Sequence, residues 1–80
     1  MSELAAAGNV LAPAYHVLQE KGYQVSFDKE HDWWVARKAG IQLIGYSTLE
    51  LCGLAYMHEA KGQEWRVTDE QIEAYMQLAP

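Results

Sequence analysis

Cys52, three histidines and one turn crowded with carboxylates are the residues of this 80-residue chain that could carry chemistry. A catalytic thiolate needs a base and an electropositive setting. His58 lies six positions beyond Cys52, about 240° around a helix, so it cannot serve as a local base. His16 and His31 could reach the thiol only through the fold. Cys52, between Leu51 and Leu54, therefore reads as a small buried hydrophobe. Asp28, Glu30, His31 and Asp32 offer donors suited to a divalent cation. Their spacing matches neither a calcium loop nor a zinc signature, so they read as a solvated turn. His58-Glu59 lacks a second His in metalloprotease register. Gly40, Gly45, Gly53 and Gly62 are isolated and form no phosphate loop. No serine occupies a nucleophile elbow. No enzyme, metal or cofactor is expected.

The elements around these residues follow from periodicity and punctuation. Pro13 suits the first turn of a helix, and Leu11, Ala14, Tyr15 and Leu18 recur at helical spacing up to Gly22. The spacing predicts a helix over 12–21. Tyr23, Val25 and Phe27 alternate with polar residues, as on a half-buried strand. Two β-rich stretches, 33–38 and 41–46, flank a tight connection at Lys38-Ala39-Gly40, where Gly40 is expected at positive φ. Ser47-Thr48-Leu49-Glu50 is a capping box with Tyr46 and Leu51 as its hydrophobic staple. Leu51, Leu54, Ala55 and His58 continue that helix until Gly62. Thr68-Asp69-Glu70-Gln71 repeats the device, stapled by Val67 and Ile72. Ile72, Tyr75 and Met76 give the last helix an apolar stripe. The expected fold is a single α+β domain over 1–80, frayed over 1–10. It comprises a three-stranded antiparallel meander with one helix before it and two after, in the order α-β-β-β-α-α.

Trp33 and Trp34 are neighbours on one strand, so they must face opposite sides of the sheet. With a three-residue hairpin loop, Trp33, Val35, Ile41 and Leu43 share one face and Trp34, Ala36, Ile44 and Tyr46 the other. A two-residue loop slips the strands and changes the partners. Either register leaves a Trp and a large aliphatic residue on each face. Either the helices split to cover both faces, or one face stays open as an interface.

Composition bounds the partners. A 9.1 kDa chain with 50% hydrophobic and 21% charged residues folds rather than remaining disordered. Six basic residues against eleven acidic ones give a charge of −5 and a pI near 5.0, which disfavours nucleic acid and anionic membranes. One cysteine permits no internal disulfide. The opening residues do not read as a signal peptide, and the apolar run 51–57 is too short for a membrane span. A cytoplasmic setting is expected. Glu50, Glu59, Glu64, Asp69, Glu70 and Glu73 crowd the C-terminal half. They are expected as solvated faces and caps, or as an acidic face for a basic partner.

The stretch Trp33-Trp34-Val35-Ala36-Arg37-Lys38-Ala39-Gly40-Ile41, with Ser47-Thr48-Leu49-Glu50-Leu51-Cys52-Gly53-Leu54, resembles short uncharacterised bacterial proteins often encoded among accessory or mobile genes. The resemblance covers about half the chain and rests on structural motifs. It implies an accessory protein that acts by binding, and it transfers no catalytic residue.

The expected function is a small acidic interaction module, self-associating as a dimer through an apolar sheet face or an aromatic-bearing helix. Trp33, Trp34, Ile44 and Tyr46 are its candidate interface residues. The alternatives are an inhibitor of a basic protein acting through Glu59, Glu64, Asp69, Glu70 and Glu73, and a small-ligand pocket lined by Trp, Tyr and Met.

Overall fold

A computed structural model of the chain describes residues 3–4 and 9–78. Helix α1 (Leu11–Glu20) leads into strands β1 (Gln24–Asp28), β2 (Trp33–Lys38) and β3 (Ile41–Gly45), and helix α2 (Thr48–Lys61) follows. A 3-10 turn (Gly62–Glu64) and helix α3 (Asp69–Leu78) complete the order. The sheet is an antiparallel meander with β2 central. The expected α+β class and element order are those of the structure. The frayed start expected over 1–10 falls largely outside the described residues; Asn9 and Val10 form the turn entering α1.

Helix α1 begins one residue before the expected start, with Pro13 in its first turn, where an amide hydrogen would have no intrahelical acceptor. It ends in a Schellman motif. The Gly22 N–H donates to Gln19 O at 2.9 Å and the Tyr23 N–H to Leu18 O at 3.0 Å, with Gly22 at φ 93°. Tyr23, expected on the first strand, instead supplies the apolar contact that closes this motif, since Tyr23 and Leu18 belong to one buried cluster. β1 therefore starts at Gln24.

The hairpin loop has two residues, because Lys38 pairs with Ile41. Ala39 (φ 46°) and Gly40 (φ 82°) are both left-handed, as a type I′ turn requires. Trp34 then lies opposite Gly45, Val35 opposite Ile44 and Ala36 opposite Leu43. This is the slipped register, so Ile44 shares its face with Trp33 and Val35, and not with Trp34 as a longer loop would give.

One face of the sheet carries Val25, Ala36, Leu43 and Gly45 against the helices. The core joins Leu18, Tyr23, Ala36, Leu51 and Ala55, with Val25, Trp34, Leu43, Cys52 and Leu54 packed around them. Gly45 allows α2 to approach closely: a Cβ there would lie 3.1 Å from Glu50 Cβ. The α1–α2 seam runs along positions 48, 52, 55 and 59, one stripe of a helix. Thr48 Oγ1 donates to Leu11 O at 2.6 Å, Cys52 Sγ to Ala14 O at 3.3 Å, and Lys21 Nζ to Glu59 at 2.9 Å. Each link joins residues 37 or 38 positions apart, so the seam fixes the two helices over the sheet.

The Thr68 box closes reciprocally, whereas in the Ser47 box the return bond falls one residue earlier, on Tyr46. Ser47 Oγ accepts the Glu50 N–H at 3.1 Å, and Glu50 Oε1 reaches back to the Tyr46 N–H at 3.1 Å. Thr68 Oγ1 accepts the Gln71 N–H at 3.2 Å, and Gln71 Oε1 returns to the Thr68 N–H at 2.9 Å. No described helix is long and apolar enough to cross a membrane.

Candidate interaction surface

The sheet face turned away from α1 and α2 is built by alternation along three strands. By the pairing register it carries Gln24, Ser26 and Asp28 from β1, Trp33, Val35 and Arg37 from β2, and Gln42 and Ile44 from β3. Tyr46 lies just past β3, in a bend outside the paired ladder. Ile44 is 40% exposed and Tyr46 73% exposed. Val35 is buried at the centre of the central strand, and Trp33 is half-buried beside it. The result is an apolar patch with a polar border. At one end the Arg37 Nε donates to Gln42 Oε1 at 2.8 Å, which holds the guanidinium over the sheet.

The turn before β2 holds the other end. Asp28 Oδ1 accepts the N–H groups of Glu30 (3.0 Å) and His31 (3.2 Å), while Asp28 Oδ2 meets His31 Nδ1 at 2.8 Å. The His31 ring stacks on Trp33 with centroids 4.5 Å apart and planes at 9°. These hydrogen bonds, led by the one to the imidazole, hold the Asp28 carboxyl below its ordinary range. The polar turn thus limits the freedom of Trp33, which reduces the entropy lost when that ring is covered. Donor atoms of Asp28, Glu30 and His31 lie within 4.8 Å of one another. Asp28 already accepts the two amides and meets the imidazole, so the cluster serves as the framework of this turn.

Trp34 points to the opposite side, packed edge-to-face on Phe27 at 5.3 Å and 63°. Of the four expected interface residues, Trp33 and Ile44 are brought together, Tyr46 lies just past β3, and Trp34 is separated from them. Trp34 lines an open groove of about 470 Å³ with Leu11, Tyr15, Val25 and Phe27. That groove holds a Trp and a Tyr of the expected small-ligand pocket but no Met.

The expected acidic residues are spread over three elements. Glu59 on α2 is engaged by Lys21; the hydrogen bond from the ammonium lowers the Glu59 pKa and raises that of Lys21. Glu64 lies in the 3-10 turn, and Asp69, Glu70 and Glu73 lie on α3. Asp69 and Glu70 occupy the first turn of α3, where carboxylates complement the helix dipole.

The third tryptophan was not singled out by sequence pattern. Trp65 follows the Gly62 break, is 48% exposed, and carries the Arg66 guanidinium 4.8 Å from its ring centroid. With Leu43, Leu54, Met57 and His58 it lines a small hollow of about 170 Å³. A large aromatic in a short polar connection was the available signal. Helix α3 buries no residue: Ile72, Tyr75, Met76 and Leu78 are all exposed.

Burial pushes the Cys52 thiol up, away from the thiolate that nucleophilic chemistry needs, and its Sγ donates to a helix carbonyl. No family model, no curated protein and no solved structure matches this chain.

Proposed function

We propose that this protein is an acidic interaction module that self-associates through the open face of its sheet, with Trp33, Ile44 and Tyr46 as the residues desolvated on contact. The observation that supports the reading most strongly is the placing of Trp33 and Ile44, with Val35, on the face opposite the helices, followed at once by the exposed Tyr46. An aromatic patch with a polar border has the composition of a binding surface, because large rigid rings supply contact area with few torsions to fix. The helices α1 and α2 both lie on the other face, so nothing in either covers this patch.

Sedimentation across a range of concentrations tests the reading. The wild-type protein is expected to form dimers. Ile44→Ser, at an exposed strand position, is expected to weaken them while leaving the helical circular dichroism unchanged. A mass distribution that stays monomeric at every concentration would overturn the proposal, as would a dimer indifferent to Ile44→Ser and Trp33→Ala.

A further inference from the structure

Among the described residues, the open side of the sheet and the apolar stripe of α3 both lack an intramolecular cover. Helix α3 has ten residues and none is buried. Isolated helices shorter than about 12–15 residues are marginal in water, and most gain their stability by packing one face. The Thr68–Gln71 box caps α3 but covers none of Ile72, Tyr75 and Met76. Residues 65–68, which carry α3 away from α2, have no regular secondary structure.

The whole molecule has the same imbalance. Its radius of gyration is 14.5 Å, where a compact domain of this length has about 12 Å. It exposes 6752 Å², where a folded 9.1 kDa monomer exposes about 4,900 Å². The excess is about 1,900 Å², and half of it already meets the about 800 Å² that each partner contributes to a standard interface.

From these features we infer that the cover for the open sheet face is α3 of a second copy, exchanged reciprocally about a two-fold axis. The inference rests on the reading of that face as a self-association surface and names what lies on it. The dimensions match. A ten-residue helix is about 15 Å long and about 10 Å wide. Strands of five and six residues run about 17–20 Å, and three of them span about 10 Å.

Charge favours this arrangement over pairing α3 with its own copy and over the groove beside α1. Helix α3 carries Asp69, Glu70 and Glu73 and no basic residue. Pairing α3 with its own copy would bring six carboxylates together. The groove beside α1 is lined by no cation. The open sheet face offers Arg37, anchored by Gln42, and its one carboxylate, Asp28, is occupied by His31. Reciprocal exchange uses each face twice, as a closed two-fold dimer requires.

Sedimentation with three variant sets tests the inference. Ile72→Ser combined with Met76→Ser changes only exposed residues of α3, so the body of the fold is retained. This pair is expected to raise the dimer Kd at least about tenfold, as Ile44→Ser does. In a Cys52→Ser background, Ile44→Cys with Met76→Cys is expected to give a disulfide between chains under mild oxidation. Phe27→Cys with Met76→Cys is expected to give none. A wild-type protein that never dimerises overturns the surface and the exchange together. A dimer weakened by Ile44→Ser but not by the α3 pair leaves the surface standing and overturns the exchange. Cross-linking through Phe27 instead of Ile44 also overturns it, placing α3 in the groove beside α1.

Discussion

Among the described residues, Asp32 and Ala39 are the non-glycines at positive φ, and Ala39 has no polar side chain to ease that conformation. It sits at φ 46° in the first position of the two-residue hairpin loop. The left-handed region costs a non-glycine residue about 1–2 kcal/mol, and asparagine less. Ala39→Asn, which makes the Asn-Gly pair favoured by this turn, is expected to stabilise the fold by about 0.5–1 kcal/mol. In a domain of this size that raises Tm by several degrees in a thermal melt, about 4–8 °C per kcal/mol. The Lys21–Glu59 pair gives a second residue-scale expectation. The lowered pKa of Glu59 means its contribution is present above the ordinary value of 4.5 and is lost as pH falls through the folded value. The raised pKa of Lys21 means its contribution is present below 10.5 and is lost as pH rises through the folded value. Both side chains are 40% exposed, so the pair is weak and salt-screened. Glu59→Gln is therefore expected to remove a small stability increment near neutral pH in low salt. The variant and the parent should unfold together in high salt or at pH 2.

At the scale of elements, the two capping boxes look alike in sequence but support different structures. The Ser47 box begins a helix whose Leu51 and Ala55 are fully buried. The Thr68 box begins a helix that buries nothing. Ser47→Ala is expected to lower global stability by about 0.5–2 kcal/mol, read as a lower denaturant midpoint. Thr68→Ala is expected to speed amide exchange within α3 while leaving the midpoint of the body unchanged in the monomer. Equal loss of midpoint in both variants would mean that α3 is coupled to the body. The strands show a related division. The strand character of 33–38 and 41–46 is legible from their aromatic and β-favouring residues, and so is the opposition of Trp33 and Trp34. Which of them joins Ile44 depends on a single residue of loop length, because side-chain direction has period two.

For the molecule as a whole, the expected association is led by apolar contact, and its response to salt separates it from binding through carboxylates. Dimers formed through Trp33, Ile44 and Tyr46 are expected to persist from low to high sodium chloride in sedimentation. An association that fades steeply with salt would favour the acidic residues of the C-terminal half as its cause. Much of the architecture was legible along the chain: the element order, both helix starts, the Gly22 and Gly62 ends and the hairpin. Each is written in a few adjacent residues whose caps, turns and alternation act over one or two turns of backbone. Trp65 carries no sequence signature, because one aromatic in a polar connection has no period. The exposure of α3 has no sequence signature either, because an amphipathic stripe has the same pattern whether or not anything covers it. Register, the side of the sheet that α1 and α2 choose, and the separation of Trp34 from the other three candidates belong to the tertiary structure. The side chosen depends on contacts between residues 37 or 38 positions apart, such as Thr48 with Leu11 and Cys52 with Ala14, which local spacing does not encode, whereas register and the place of Trp34 follow from the two-residue hairpin loop.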